Sequence, residues 1–92
     1  MSQERVLVVD DEEKLRRVLG RELAAMGYRA RQAGDAEEAL ALLESEDISV
    51  VLLDLKMPKR GGLEVLPEIK GRWPNVEVII LTGHGSIETA IS

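Results

Sequence analysis

The sequence predicts an α/β fold in which a doubly wound parallel sheet carries helices on both faces. Short apolar runs at 6–9, 48–53 and 76–81 have the pattern of strands buried on both sides. Segments with apolar residues at helical spacing lie between these runs, and this alternation is typical of right-handed β-α-β crossovers. We expect the strand order 2-1-3-4, which makes the first, third and fourth strands neighbours.

The composition is that of one small globular domain, which we expect to span residues 1–92. Its core must be aliphatic, because Tyr28 and Trp73 are the only aromatic residues. No apolar run reaches the about 18 to 20 residues of a membrane span, and the start of the chain does not resemble a signal peptide. Cysteine is absent, which excludes disulfides and thiolate metal sites and is compatible with a reducing cytoplasm. The net charge of −5 argues against direct nucleic-acid binding, because phosphate contacts need clustered Lys and Arg.

Val6–Val9 form an apolar run that ends at Asp10 and Asp11, and we interpret it as the first buried strand. Helical spacing then predicts an amphipathic helix over about residues 13–26, ended by Gly27 in a left-handed conformation. The apolar face is expected to comprise Leu15, Val18, Leu19, Leu23 and Met26. The polar face is expected to comprise Glu13, Lys14, Arg16, Arg17, Arg21 and Glu22.

The next segment, Tyr28–Ala33, alternates with polar residues as an edge strand does. Asp35 is placed to cap a helix over about 36–45, with Glu38 three residues on as in a capping box. The strand Ile48–Leu53 follows. The residues that this second helix is expected to bury are Ala36, Ala39, Leu40 and Leu43.

A third helix follows the loop that ends at Gly62, and Pro67 within it is expected to cause at most a small kink. Met57–Pro58 and Gly61–Gly62 are interpreted as loop geometry, with proline fixing the turn and glycine permitting positive φ. Trp73 is interpreted as a packing residue at the end of the helix. The helical pattern consists of Leu63, Leu66, Ile69 and Lys70.

The fourth strand is predicted over Val76–Leu81, where most residues are β-branched. We expect Thr82 to end this strand. A fourth helix is predicted to start over Ile87–Ile91.

Polar residues follow three of the predicted strands: Asp10 and Asp11, Asp54, and Thr82. The tips of these three strands meet at one edge of the sheet. Carboxylates gathered there repel one another unless a divalent cation binds, and Mg²⁺ prefers such oxygen ligands. The alternatives are a solvated acidic rim without a ligand and, for Asp54 alone, a residue that turns the chain or caps a helix.

Three motifs in order now carry a resemblance that covers the whole chain. They are Val8–Glu12, Asp54–Pro58 with Gly62 eight residues after the aspartate, and Ile80–Gly85. The chain resembles the receiver domain of bacterial response regulators, the flavodoxin-like phosphoryl-accepting partners of sensor histidine kinases. The second and third motifs are similar to those of enhancer-binding regulators of nitrogen-control type.

The resemblance implies a role for each acidic residue. Asp54 would accept the phosphoryl group as an acyl phosphate. Asp11 would be the main Mg²⁺ ligand, and Asp10 would act chiefly through a metal-bound water. The backbone carbonyl of Lys56 would complete the protein's share of the coordination.

It also implies a switch beyond the fourth strand. Thr82 would move its hydroxyl toward a phosphoryl oxygen and shift the segment 84–91, while Gly83 leaves the acceptor accessible. His84 is interpreted as an exposed loop residue, although it could tune hydrolysis of the acyl phosphate. The Lys56 side chain has the same two interpretations.

Family members continue with the rest of a fourth helix, a fifth strand that carries a lysine and an aromatic switch residue, and a fifth helix. We therefore expect this chain to be a C-terminally truncated receiver with impaired phosphorylation. Its Val76–Leu81 strand would leave an apolar edge exposed, and such an edge favours a homo-oligomer.

Two other functions stay open. A magnesium-dependent phosphatase with an aspartyl nucleophile would carry a second Asp two positions on, where this chain has Lys56. A pseudo-receiver would only mediate interaction or dimerisation. Our preferred hypothesis is that the chain is a cytoplasmic signalling module and not a metabolic enzyme. A histidine kinase would phosphorylate it.

Overall fold

The chain alternates strands and helices in the predicted order as far as the fourth strand. The computed structural model describes residues 4–55, 57 and 61–81, together with the backbone of 87–89. The elements are β1 (Arg5–Val9), α1 (Glu13–Ala25), β2 (Arg29–Ala33), α2 (Ala36–Ser45), β3 (Val50–Asp54), α3 (Gly62–Arg72), β4 (Glu77–Leu81) and β5 (Ile87–Thr89).

The sheet has the order β2-β1-β3-β4-β5, and its first four strands are parallel. The predicted doubly wound sheet of order 2-1-3-4 is confirmed. The register places Val9 beside Leu53 and Asp54 beside Leu81. The central strands β1 and β3 are buried along nearly their whole length, as their uninterrupted apolar runs indicated.

The predicted start of a fourth helix is wrong, because Ile87–Thr89 forms a short strand antiparallel to β4. Leu81 pairs with Ile87, and Ile79 pairs with Thr89. The outer backbone groups of β4 need hydrogen-bond partners, and this pairing supplies them over Ile79–Leu81. A tertiary requirement has therefore outweighed a local helical pattern, and this part of the predicted bare edge is covered.

Helices α2 and α3 cover one face of the sheet, and the larger part of the core lies there. Leu53 is fully buried in it, which contributes about 1.5 to 3 kcal/mol for a side chain of this size. Trp73 packs against the same cluster, as predicted. Of the predicted helical pattern, Leu63 is 70% exposed and Ile69 is fully buried, together with Val65. The buried residues of α2 are those predicted: Ala36, Ala39, Leu40 and Leu43.

Of the described helices, α1 covers the other face, where Leu19 and Leu23 pack in part against Val8 and Leu52. The predicted apolar face of α1 is wrong at Val18 and Met26, which are 51% and 68% exposed. Met26 lies beyond the end of the helix. Val18 lies at the margin of the stripe that faces the sheet.

The predicted helix ends are largely as observed. Gly27 ends α1 with a φ of 96°, in the left-handed region expected. The Asp35 carboxylate accepts a 2.8 Å hydrogen bond from the Glu38 N–H at the start of α2. Glu38 reaches back to the N–H of Gly34, one residue before the cap. Helix α3 continues through Pro67. Within the part of the chain that is described, no helix is long and apolar enough to cross a membrane.

Candidate functional site

The structure brings together the three acidic residues predicted to converge. β1 ends just before Asp10 and β3 ends at Asp54, and the two strands are parallel neighbours. Carboxylate oxygens of Asp10, Asp11 and Asp54 all lie within 4.8 Å of one another. The parallel register is the cause, because it carries both strand tips to the same edge of the sheet.

Two of these carboxylates are buried: Asp10 is 3% exposed and Asp54 is 7% exposed, whereas Asp11 faces solvent. Burial raises the pKa of Asp10 above its ordinary value of 3.8, and the negative charges of Asp54 and Asp11 raise it further. The Glu12 N–H, 2.8 Å from Asp10 Oδ1, and the positive charge of Arg16 act in the opposite direction. Burial and like charge outweigh these contacts.

The end of β3 is held by two backbone hydrogen bonds of Leu55, the residue after Asp54. The Leu55 N–H donates to the Leu81 carbonyl at 3.4 Å, which continues the pairing of β3 with β4 past the acid. The Leu55 carbonyl accepts a 3.2 Å hydrogen bond from the Gly62 N–H at the start of α3. These contacts give Asp54 a defined place relative to the β4 tip and α3.

Gly62 is required by close packing rather than by backbone conformation. A Cβ at position 62 would lie 2.5 Å from the Asp54 carbonyl oxygen and 3.0 Å from Leu55 Cα. The expectation of positive φ at Gly61–Gly62 is wrong, because Gly61 has a φ of −75° and Gly27 is the positive-φ glycine among the described residues. The eight-residue spacing between Asp54 and Gly62 was the sequence signal for this approach.

Sequence reasoning missed Arg16, which was assigned to the solvated face of α1. Its Nη1 donates a 2.7 Å hydrogen bond to the Asp10 carbonyl oxygen. The signal available in the sequence was its place one helical turn after the acidic pair, close enough for a long side chain to reach back.

The other predicted site residues lie outside the described residues: Lys56, Thr82, Gly83 and His84. Their predicted roles stay predictions. Leu81, the residue before Thr82, is described, and it pairs with Asp54 across β3 and β4.

The donor set fits a divalent cation. Three carboxylates within 4.8 Å offer the hard oxygen ligands that Mg²⁺ prefers. Burial, and after it the like charges of Asp54 and Asp11, raise the pKa of Asp10, and a bound cation would act against both causes. The cation would supply positive charge where Asp11 opens to solvent.

The chain matches the model of the response regulator receiver domain over residues 6–92. It is 42% identical over 94 residues to a putative NtrX-like response regulator of Rickettsia felis, and this covers the whole chain but 20% of the relative. It is 41% identical over 87 residues to the DNA-binding transcriptional regulator NtrC of Salmonella typhimurium, covering 95% of the chain and 19% of the relative. These relatives confirm the resemblance to nitrogen-control-type regulators.

Solved structures agree. The response regulator TrrA of Thermotoga maritima, crystallised in complex with Mg²⁺ and BeF, matches with a TM-score of 0.83 and 40% identity. That match covers 89% of this chain and 73% of TrrA. The chain spans about a fifth of the length of the curated relatives it first matches. With the family match over most of its length, the chain belongs to the response regulator receiver domain family.

Proposed function

We propose that this chain is the phosphoryl-accepting module of a two-component response regulator, with Asp54 as the acceptor in a Mg²⁺-dependent transfer. Receiver domains are signalling modules phosphorylated by histidine kinases, and they are not metabolic enzymes. The observation that carries the proposal is the group formed by Asp10, Asp11 and Asp54 at the carboxyl end of the sheet. The partner of this module would be a sensor histidine kinase.

Asp10, Asp11 and Asp54 would hold the Mg²⁺, together with the backbone carbonyl of Lys56. The complex of TrrA with Mg²⁺ and BeF supports this assignment by similarity. The cation supplies countercharge between an anionic nucleophile and an anionic phosphoryl group. The chain's own part is to hold the carboxylates in place before the phosphoryl donor arrives.

In the transfer, a carboxylate oxygen of Asp54 attacks phosphorus and forms an acyl phosphate. The bond from phosphorus to the imidazole nitrogen of the donor breaks, and the nitrogen keeps that electron pair. Attack of water on phosphorus later releases inorganic phosphate and restores the carboxylate. The contacts of Leu55 with Leu81 and Gly62 keep Asp54 fixed through these steps.

The signal would leave the site through the β4 tip. Thr82 would hydrogen-bond a phosphoryl oxygen, and Gly83 would leave the acceptor accessible. Leu81, which precedes Thr82, pairs with both Asp54 and Ile87. A displacement at Thr82 would therefore act directly on the attachment of β5 to the sheet.

The remaining assignments follow from the same proposal. The chain would act as a single receiver domain, in the cytoplasm, without binding nucleic acid through this segment. Homo-oligomer formation through the β4 edge stays a prediction. In the described structure, β5 pairs with Ile79–Leu81, so a second copy that pairs with those residues would have to displace β5.

The proposal is tested by incubating the protein with acetyl phosphate and Mg²⁺, and measuring the intact mass for one added phosphoryl group. We expect uptake that is lost with EDTA and lost in Asp54→Asn. Asp47→Asn, at an exposed carboxylate at the amino end of the sheet, is the matched control and should take up phosphate normally.

Beryllofluoride gives a second measurement that needs no covalent transfer. We expect it to raise the melting temperature in the presence of Mg²⁺, and to leave Asp54→Asn unchanged. No uptake and no beryllofluoride effect would contradict the proposal and favour the pseudo-receiver, a module that only mediates interaction.

A further inference from the structure

Arg16 connects the start of α1 to the end of β1. The Arg16 Nη1 donates to the Asp10 carbonyl oxygen at 2.7 Å, and the Arg16 backbone N–H donates to the Glu12 carbonyl at 3.1 Å. The Glu12 N–H in turn donates to Asp10 Oδ1 at 2.8 Å. The segment from Asp10 to Arg16 is therefore closed by hydrogen bonds from a side chain and from the main chain.

These contacts restrain Asp10 in three directions. Its N–H donates to the Ala33 carbonyl of β2 at 3.1 Å, its carboxylate accepts from Glu12, and its carbonyl accepts from Arg16. The carbonyl of Asp10 and the N–H of Asp11 belong to one planar peptide group. The hydrogen bond from Arg16 therefore sets the plane from which the Asp11 side chain departs.

The guanidinium of Arg16 is confined rather than free in solvent. Its Nε is buried and has no hydrogen-bond partner within the described structure. Its Nη1 lies against Gly34 in the connection between β2 and α2, where an added Cβ would be 3.1 Å away. Leaving a buried donor unsatisfied costs free energy, so stability alone is a poor explanation for this placement.

The neighbouring Arg17 shows what an ordinary surface arginine on α1 does. Its side chain is 64% exposed and lies 3.9 Å from Glu13, one turn earlier on the same helix. The two arginines have the same charge and adjacent positions, but Arg16 alone of the pair contacts the acidic site. They form a matched pair for mutation.

We propose that Arg16 is a positioning residue of the cation site. By fixing the peptide group between Asp10 and Asp11, it holds the Asp11 carboxylate toward Asp10 and Asp54 before the cation binds. Its positive charge also acts against the repulsion among the three carboxylates. The inference rests on the proposed function, because it takes Mg²⁺ as the ligand of this site.

The test compares Arg16→Met, Arg16→Lys and Arg17→Met with the parent chain. Mg²⁺ affinity is measured by calorimetric or NMR titration well below the melting temperature. Residues that support metal ligands typically change affinity 10- to 100-fold when replaced, and we expect about 10-fold weaker binding in Arg16→Met. Arg16→Lys should lie between it and the parent, because lysine keeps the charge but not the planar fork. Arg17→Met should leave the affinity unchanged.

A purely structural role for Arg16 predicts a different result. It would lower the melting temperature of the metal-free protein and leave the Mg²⁺ affinity of the folded protein as it is, which would overturn the proposal. The ¹⁵N shift of the Asp11 amide without Mg²⁺ gives an independent readout. This chemical shift should differ from that of the parent chain in both Arg16 variants and should be unchanged in Arg17→Met. If Arg16→Met does not fold, Arg16→Lys decides by the same criteria.

The outcomes separate this inference from the function it rests on. If the parent chain and Arg16→Met bind Mg²⁺ equally well, only the positioning role is overturned. If the parent chain binds Mg²⁺, Arg16→Met binds it more weakly and the parent takes up no phosphate, the positioning role is supported and the phosphoryl transfer is contradicted. A parent that binds no Mg²⁺ contradicts both.

Discussion

The two ends of the sheet differ in how their charged side chains are arranged. At the carboxyl end, Asp10 and Asp54 are buried beside Asp11, and the pKa of Asp10 is raised by burial and then by the charges of Asp54 and Asp11. At the amino end, Arg72 forms ion pairs with Glu44 and with Glu68 and lies over the Trp73 ring at 4.4 Å from its centroid. At the amino end, exposed side chains of opposite charge pair with each other. At the carboxyl end, three side chains of like charge lie close together, and two of them are buried.

The described residues also line a cavity that lies away from the acidic cluster. This cavity of about 700 Å³ lies at the amino end, lined by residues that include Trp73, Glu46 and Glu77. The described residues that could hold a metal lie at the other end. Concentrating like charge costs stability, and perturbed carboxylates of this kind cluster at functional sites. The candidate site is therefore distinguished by the free-energy cost of placing like charges together, and not by a large cavity.

The largest expected effect comes from Gly62→Ala, which forces apart the backbone that holds Asp54. The new Cβ would meet the Asp54 carbonyl oxygen at 2.5 Å, and main chain on both sides cannot rotate away. We expect the free energy of unfolding to fall by about 3 kcal/mol, the upper part of the range for overpacking. Urea unfolding measures this, and phosphate uptake should fall with it.

Gly71→Ala is the matched control near the other end of the same helix. A Cβ there meets no atom within 4 Å. Alanine is the better helix former, so this change should stabilise the protein by up to about 1 kcal/mol. Equal destabilisation by both substitutions would contradict the close-packing account of Gly62.

The next effect is that of Asp10→Asn, which removes one of the like charges. Asparagine keeps an oxygen that can accept from the Glu12 N–H, but it does not repel Asp11 and Asp54. We expect the metal-free protein to gain of the order of 1 kcal/mol, or about 4 to 8 °C in melting temperature for a domain of this size. Mg²⁺ should then stabilise the variant much less than it stabilises the parent.

The same pair of proteins gives the pH dependence. The pKa of Asp10 is raised in the folded state, so folding favours its protonated form. The contribution of Asp10 to the free energy of unfolding is fully present below pH 3.8, and it is lost as the pH rises through the folded-state pKa. The advantage of Asp10→Asn over the metal-free parent should therefore grow as the pH rises through this window. An advantage that shrinks would reverse the assigned sign.

The smallest effect is expected from Arg72→Met at the amino end. Its ion pairs with Glu44 and Glu68 are exposed and screened by salt, and such pairs contribute little. The melting temperature should fall slightly at low salt and less at high salt, with Mg²⁺ affinity unchanged. A loss of stability in Arg72→Met as large as that in Gly62→Ala would contradict the difference proposed between the amino and carboxyl ends of the sheet.

The sequence by itself determined the elements whose cause is local. Uninterrupted apolar runs marked β1 and β3, because strands buried on both faces need apolar residues at every position. Asp35 and Glu38 marked the start of α2 because a cap is satisfied within a few residues. The convergence of Asp10 and Asp54 also followed, since strand order and parallel direction carry these tips together.

Only the tertiary structure decided what depends on distant partners. The segment Ile87–Thr89 became a strand because the outer edge of β4 offered backbone hydrogen bonds that a local helical pattern does not register. Val18 is exposed because α1 turns Leu19 and Leu23 toward the sheet and leaves Val18 at the margin of the contact. Gly62 and Arg16 acquire their importance from contacts with Asp54 and Asp10, which periodicity cannot reveal. Local spacing specifies the elements, and the close approach of separate elements specifies the site.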